Sequence, residues 1–199
     1  MGTRSLIVLA LAGACGPKPE PTPPRPDTPD TIEQKVASDF EQAVKTSKDA
    51  YVSLFDFVAV GEYEILIHRY DINGRFPNLP EDMRARWEQE DGTPYTPERE
   101  RRNVGNFYPL LAQRTVGTGG CIGGEPISEY GKQLVELEPL PEGTPPKYEI
   151  LRTAVSGYVA KGGVVGVRCS GGKGALALVW TERPNARGYD LITIYDDLE

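Results

Sequence analysis

The chain has 199 residues and a formal net charge of -7 at pH 7, with 18 prolines, 22 glycines, three cysteines and one histidine. An acidic chain repels phosphate backbones, which argues against nucleic acid as a partner. A single histidine and the lack of a Cys-x-x-Cys pair speak against a zinc site, and no cofactor-binding motif is found.

The chain opens with Arg4, its only early positive side chain, followed by an unbroken small and apolar run from Leu6 to Ala14. The run is too short to cross a bilayer core of roughly 30 Å as a helix. It fits the apolar core of a cleaved export signal over residues 1–14, with small Ala12, Gly13 and Ala14 before the cut. Cys15 directly after such a run resembles the lipobox of bacterial lipoproteins. The resemblance implies that Cys15 becomes the mature N-terminus, carrying a thioether-linked diacylglycerol and a further acyl chain such as palmitate. Ala12 departs from the pattern, which most often has leucine there. Gly16, where inner-membrane lipoproteins of enteric bacteria carry aspartate, points to the outer membrane. Residues 16–29 hold seven prolines and almost nothing apolar. Proline favours an extended course of about 3.1 Å per residue, so residues 15–30 read as an anchored cysteine and a semi-rigid tether.

The remainder, 31–199, is long enough for one domain with its own core. Asp30 followed by Glu33 has capping-box spacing. Ile32, Val36, Phe40 and Val44, with Ala37 and Ala43 beside them, form one helical stripe. Ser47 caps a second helix through Ala50, Tyr51, Leu54, Phe55 and Val58, which Gly61 interrupts and Glu62 to Tyr70 continues. Tyr51, Phe55, Phe57 and Tyr63 read as helix-packing core. His68 reads as a hydrogen-bonded, partly buried side chain, since no nucleophile is placed beside it by any motif.

Residues 72–96 carry turn signals at Asn73-Gly74, Pro77, Pro80 and Asp91-Gly92, with a short helix from Pro80 to Gln89 anchored by Trp87. Thr96-Pro97-Glu98 starts a further helix. Its Glu98 and Arg102 are one turn apart and read as a solvated, salt-bridged face, with an anion-docking patch as the sharper alternative. Val104, Phe107, Tyr108, Leu110 and Leu111 are expected inside.

Gly117 to Gly124 and Gly171 to Gly174 lack the Gly-Lys-Ser/Thr ending of a phosphate cradle and read as loops, the second as a hairpin turn. Cys121 and Cys169 lie beside them. With Cys15 acylated they are an even pair in an oxidising compartment, and a disulfide is expected, with Cα atoms 4.4–6.8 Å apart. Two independent thiols are the alternative. The stretch 148–197 reads as strand-rich: Tyr148 to Ala160, Val164 to Cys169, Ala175 to Thr181 and Tyr189 to Tyr195 are β-branched and aromatic runs joined by short turns. Leu134 to Leu137 reads as an additional, earlier strand. Leu176, Leu178 and Trp180 share a face assigned to the helices, with small Ala175 and Ala177 on the other.

The fold class expected is α+β, with N-terminal helices (31–115) packed on a C-terminal antiparallel β-sheet. The order of elements over 31–70 and 148–197 resembles the ketosteroid-isomerase-like roll of the nuclear transport factor two superfamily. That resemblance implies helices in the concave face of a bent sheet and carries no catalytic residue over. The function expected is a lipid-anchored binding or accessory module of the cell envelope, without catalytic activity. It would hold an envelope protein or small ligand on the concave face or the Arg84–Arg102 region. The alternatives are an assembly subunit of an envelope machine, which would show a broad apolar patch, and a small isomerase or hydrolase with a cone-shaped pocket.

Overall fold

The computed structural model describes residues 31–72, 95–115, 120–169 and 175–197. The signal, Cys15, the tether, Asp30, the turns and helix expected over 73–94, and the turn at 171–174 lie outside the described residues.

The first helix, α1 (Ile32–Thr46), buries the expected stripe of Val36, Ala37, Phe40, Ala43 and Val44. Its cap is Thr31, whose side chain accepts from the Gln34 N–H at 3.2 Å, one position after the expected Asp30. Ser47 ends α1 and caps α2 (Lys48–Val52), accepting from the Ala50 N–H at 3.1 Å. The helical break then falls at Ser53–Asp56 and not at Gly61. Asp56 Oδ1 accepts from the N–H groups of Val58 and Ala59 at 3.0 and 3.2 Å and so starts α3 (Phe57–Ile72), which runs through Gly61 without interruption. A side-chain cap at Asp56 offsets the weak helix propensity of one glycine.

After Thr96, whose hydroxyl accepts from the Arg99 N–H at 3.2 Å, comes α4 (Pro97–Thr115). Its inner face is Glu100, Val104, Leu111 and Thr115, with Tyr108 partly covered. Phe107 and Leu110, expected inside, are 54% and 46% exposed because the helical period turns them to the flank. The strand β1 (Cys121–Glu125) follows, then α5 (Glu129–Gln133), α6 (Pro146–Val159), β2 (Gly162–Cys169), β3 (Ala175–Glu182) and β4 (Tyr189–Asp197).

Three further sequence readings need correction. Residues 148–159, expected as strand to Ala160, belong to the helix Pro146–Val159. Pro145 and Pro146 suit a helix start, and Tyr148 and Val155 sit two turns apart on the buried face. Period outweighs the β-branched content here. The glycine-rich stretch at Cys121 is strand, not loop, because β2 supplies the ladder that its own side chains do not encourage. Leu134 to Leu137 is not a strand. Leu134 is fully buried, and the segment is pinned by tyrosine hydroxyls of α3: Tyr63 donates to the Leu134 carbonyl at 2.6 Å and Tyr70 to the Glu138 carbonyl.

The four described strands pair antiparallel in the order β1-β2-β3-β4. With helices packed against this sheet, the fold is α+β. Helices cover both faces, not one. Leu176, Leu178 and Trp180 join Val36, Phe40, Tyr51 and Leu191 on the α1 side. Ala177, Val179 and Ile192 pack with Tyr63, Leu66 and Ile67 of α3 and Val155 of α6 on the other. This is why β3 reads as a continuous apolar run and is buried from Ala175 to Thr181. The chain passes from one face to the other at β4: the Leu191 N–H donates to the Leu54 carbonyl at 2.8 Å, and the Asp56 N–H to the Leu191 carbonyl at 3.1 Å.

Cys121 and Cys169 are direct partners in the β1–β2 register and form a disulfide with S–S 2.03 Å. Their Cα atoms are 4.0 Å apart, below the expected range. They stand directly opposite one another on neighbouring strands, where paired Cα atoms ordinarily lie about 4.5–5.5 Å apart, so this pair is drawn closer than the ladder alone requires.

One core hydroxyl, that of Tyr51, has no partner among the described residues. The Tyr51 hydroxyl is buried among Phe40, Phe55 and Tyr108 without a hydrogen bond. An unpaired buried hydroxyl costs free energy that phenylalanine does not. Tyr51→Phe is therefore expected to leave urea-unfolding stability unchanged or raise it by up to about 1 kcal/mol. A loss larger than that would show that the hydroxyl is bonded.

Candidate functional site

Helical geometry brings Gly61, Glu64 and His68 of α3 to one face. Opposite them lie Tyr95 and the start of α4. A side-chain carbon at Gly61 would sit 3.6 Å from Tyr95 Cβ and 3.8 Å from Glu100 Cγ, so the two segments are in near contact. The chain's single histidine is buried here, and its Nδ1 is hydrogen-bonded to the Tyr95 hydroxyl. The Arg99 guanidinium lies 4.6 Å from the centre of the Tyr95 ring, and its Nε is 3.8 Å from Glu100 Oε1. Glu100 is 3% exposed, and its other oxygen accepts from Asn103 at 3.3 Å.

Glu64 is the unusual member. Its Oε1 accepts from the Thr193 hydroxyl at 3.1 Å and from the Tyr195 hydroxyl at 3.4 Å, both on β4. Among the described residues no cation pairs with it. Burial pushes its pKa up from 4.5 to about 7; the charge of Glu100 adds to the rise, and the two hydroxyl bonds oppose it. Between pH 4.5 and about 7 the folded state therefore holds a proton that the unfolded state has lost. Its contribution favours folding most below 4.5 and fades as pH rises through 7, a span worth on the order of 3 kcal/mol. A carboxyl that ionises near neutrality can take or give a proton where an ordinary glutamate cannot.

A second polar region lies at the far end of the β3–β4 hairpin. An open hollow of about 430 Å³ is lined by Lys161, Glu182, Arg183, Pro184 and Gly188. Arg183 is fixed behind it: NH2 is 2.6 Å from Asp56 Oδ2, Nε is 3.9 Å from Asp190, and the guanidinium lies 5.0 Å from the centre of the Tyr158 ring. Tyr158 in turn donates to Glu62 at 2.7 Å. The exposed Lys161 and Glu182 at the rim offer opposite charges to a small polar ligand.

The sequence-designated residues are dispersed. Cys15 lies outside the described residues, as does Arg84. Cys121 and Cys169 are joined and buried. Arg101 and Arg102 are exposed, while Glu100 of the same run is enclosed. The aromatic group divides: Tyr51, Phe55 and Phe57 belong to the α1 side and Tyr63 to the other. Helices pack on both faces of the described sheet, so neither face is left open for a ligand. Sequence reasoning missed Glu64, Glu100, Tyr95, Thr193 and Tyr195. The one available signal was a glutamate within the apolar Tyr63 to Ile67 run.

Among the described residues no group of three or more His, Cys, Asp or Glu could hold a metal ion, and no helix is long and apolar enough to cross a membrane. No protein-family model, curated protein or solved structure matches the chain.

Proposed function

We propose that this chain is a lipid-anchored binding or accessory module of the bacterial cell envelope, held at the outer membrane and without catalytic activity of its own. The observation that carries the reading is the succession of an apolar run ending at Ala14, Cys15, and a tether with seven prolines in residues 16–29. A spacer of that stiffness has a purpose when its front end is fixed. The cystine between β1 and β2 supports the same reading, since such bonds persist in oxidising compartments. The hollow at Lys161 and Arg183 is the proposed place for a small polar ligand or the side chain of an envelope partner.

The test is acylation. Wild type expressed in a lipoprotein-processing bacterium should incorporate a labelled fatty acid and sediment with membranes. Cys15→Ser should lose the label and appear unprocessed or in the soluble fraction. Equal labelling of both would overturn the reading.

The Glu64 carboxyl beside the buried His68 favours a second reading, a small enzyme using acid–base chemistry. Turnover abolished by Glu64→Gln in an unbiased isomerase and hydrolase screen would support it.

A further inference from the structure

The outward face of α4 takes no part in either polar region described above. From Arg101 to Thr115 this helix carries three arginines and no acidic residue, in a chain whose formal net charge is -7. Phe107 and Leu110 are 54% and 46% exposed, and Pro109 between them is exposed as well. Positions three apart are neighbours on a helix, so Phe107 and Leu110 form one apolar knob. Arg101 and Arg102 stand exposed a turn or two before it, with the Arg101 guanidinium 4.8 Å from the centre of the Phe57 ring. Asn106 and Gln113, also exposed, are uncharged. Basic side chains beside exposed Phe and Leu on one helix are the composition that settles at the boundary of headgroups and acyl chains.

The size of the knob decides between a protein and a bilayer as its cover. A stable protein interface buries about 800 Å² on each partner, far more than two side chains supply. A lipid surface needs less, because an anchor in the same bilayer keeps the domain at high effective concentration beside it. The tether is long enough to allow this. Residues 16–30 at about 3.1 Å each reach roughly 45 Å. A domain the length of 31–199 is on the order of 40 Å across, so any of its faces can turn to the membrane. Charge then selects among them. An acidic chain is repelled by anionic headgroups, and a locally basic face is attracted.

We infer that α4 is the membrane-facing surface of the domain. Phe107 and Leu110 enter the headgroup boundary of the bilayer that holds acylated Cys15, and Arg101 and Arg102 meet its anionic lipid phosphates. The inference rests on the anchored reading proposed above. It sets an orientation: Val104 and Leu111 of α4 belong to the α1-side layer and Val155 of α6 to the other, so α6 faces away from the lipid.

The experiment uses the full chain, processed in a lipoprotein-producing bacterium and reconstituted in phosphatidylethanolamine vesicles with about a quarter phosphatidylglycerol as anionic lipid. Mass spectrometry first reads the acyl groups on Cys15. A bimane label is attached at Gln113→Cys, beside the knob, or at Thr153→Cys, exposed on α6. Nitroxide-bearing lipid should quench the label at 113 at least about twofold more than the label at 153. Salt at about 1 M, which shortens screening to about 3 Å, should reduce the quenching at 113. Phe107→Asp with Leu110→Asp should abolish the difference while the chain still sediments with vesicles through its anchor. Arg101→Gln with Arg102→Gln should reproduce the high-salt result, and carries the test if the aspartate variant does not fold. Equal quenching at both positions of an acylated protein, or a cross-link from 113 to a second copy or another protein in place of quenching, would overturn the inference and leave the anchor standing. An unacylated Cys15 would overturn both.

Discussion

Replacing Cys121 and Cys169 together by serine is expected to lower the unfolding free energy by about 4 kcal/mol, the chain-entropy value for a loop closed across this separation. The bond spans 48 positions, including α5, α6 and the loops around them, so its removal frees a long stretch of unfolded chain. The native state should survive. Cys121 has a second tie: its backbone N–H donates at 2.9 Å to Glu41 Oε2, and Lys45 holds the other oxygen of that carboxylate at 2.5 Å. Ladder bonds from Ile122 to Glu125 against β2 also remain. The measurement is urea unfolding with and without reductant. Wild type in reductant should approach the serine variant. A change under 1 kcal/mol, or free thiols in protein purified from cells, would contradict the expectation.

Gly123→Val is expected to cost about 3 kcal/mol, the upper end for overpacking. A Cβ at this position would lie 2.4 Å from the Glu33 carbonyl oxygen and 2.9 Å from Ala37 Cβ. The first neighbour is helix backbone and cannot rotate away, so α1 must lift from β1. Gly124 is the control. It has φ +83°, and nothing lies within 4 Å of its built Cβ. Gly124→Ala should cost only the backbone strain of a left-handed residue, about 1 kcal/mol. Thermal melts of the two variants separate close packing from conformational freedom. Equal losses would show that α1 does not rest on β1.

What the sequence disclosed and what it hid divide along physical lines. The α1 stripe, the Ser47 cap and the Thr96-Pro97 helix start depend on neighbours within one turn, and each was readable. So were β2, β3 and β4, which have apolar runs separated by short turns. Helix α6 was misread because its valines, threonine and tyrosines weigh toward strand while its spacing weighs toward helix, and spacing prevailed. Strand β1 was hidden because its glycines encode no alternation; its conformation comes from β2. The Glu64 site was illegible for a stronger reason. Thr193 is 129 positions from Glu64, and nothing local marks either residue as the other's partner. The cystine was anticipated from the even pair of cysteines, but the direct register of Cys121 with Cys169 was not.

The segment Leu54–Asp56, which carries the chain past the outer side of β4, also sets an order of assembly. Arg187 reaches back 134 positions to the Ser53 carbonyl, beside the Leu54–Leu191 ladder. Contacts so distant along the chain close slowly, after local helices have formed. A growing chain that has not yet produced residue 191 can build α1 and α2 but has no strand on which to seat Leu54 and Phe55. Neither apolar layer can close before the C-terminal strand exists, so a shortened product lacking β4 should present both layers to proteases and chaperones and not persist as a half-built fold.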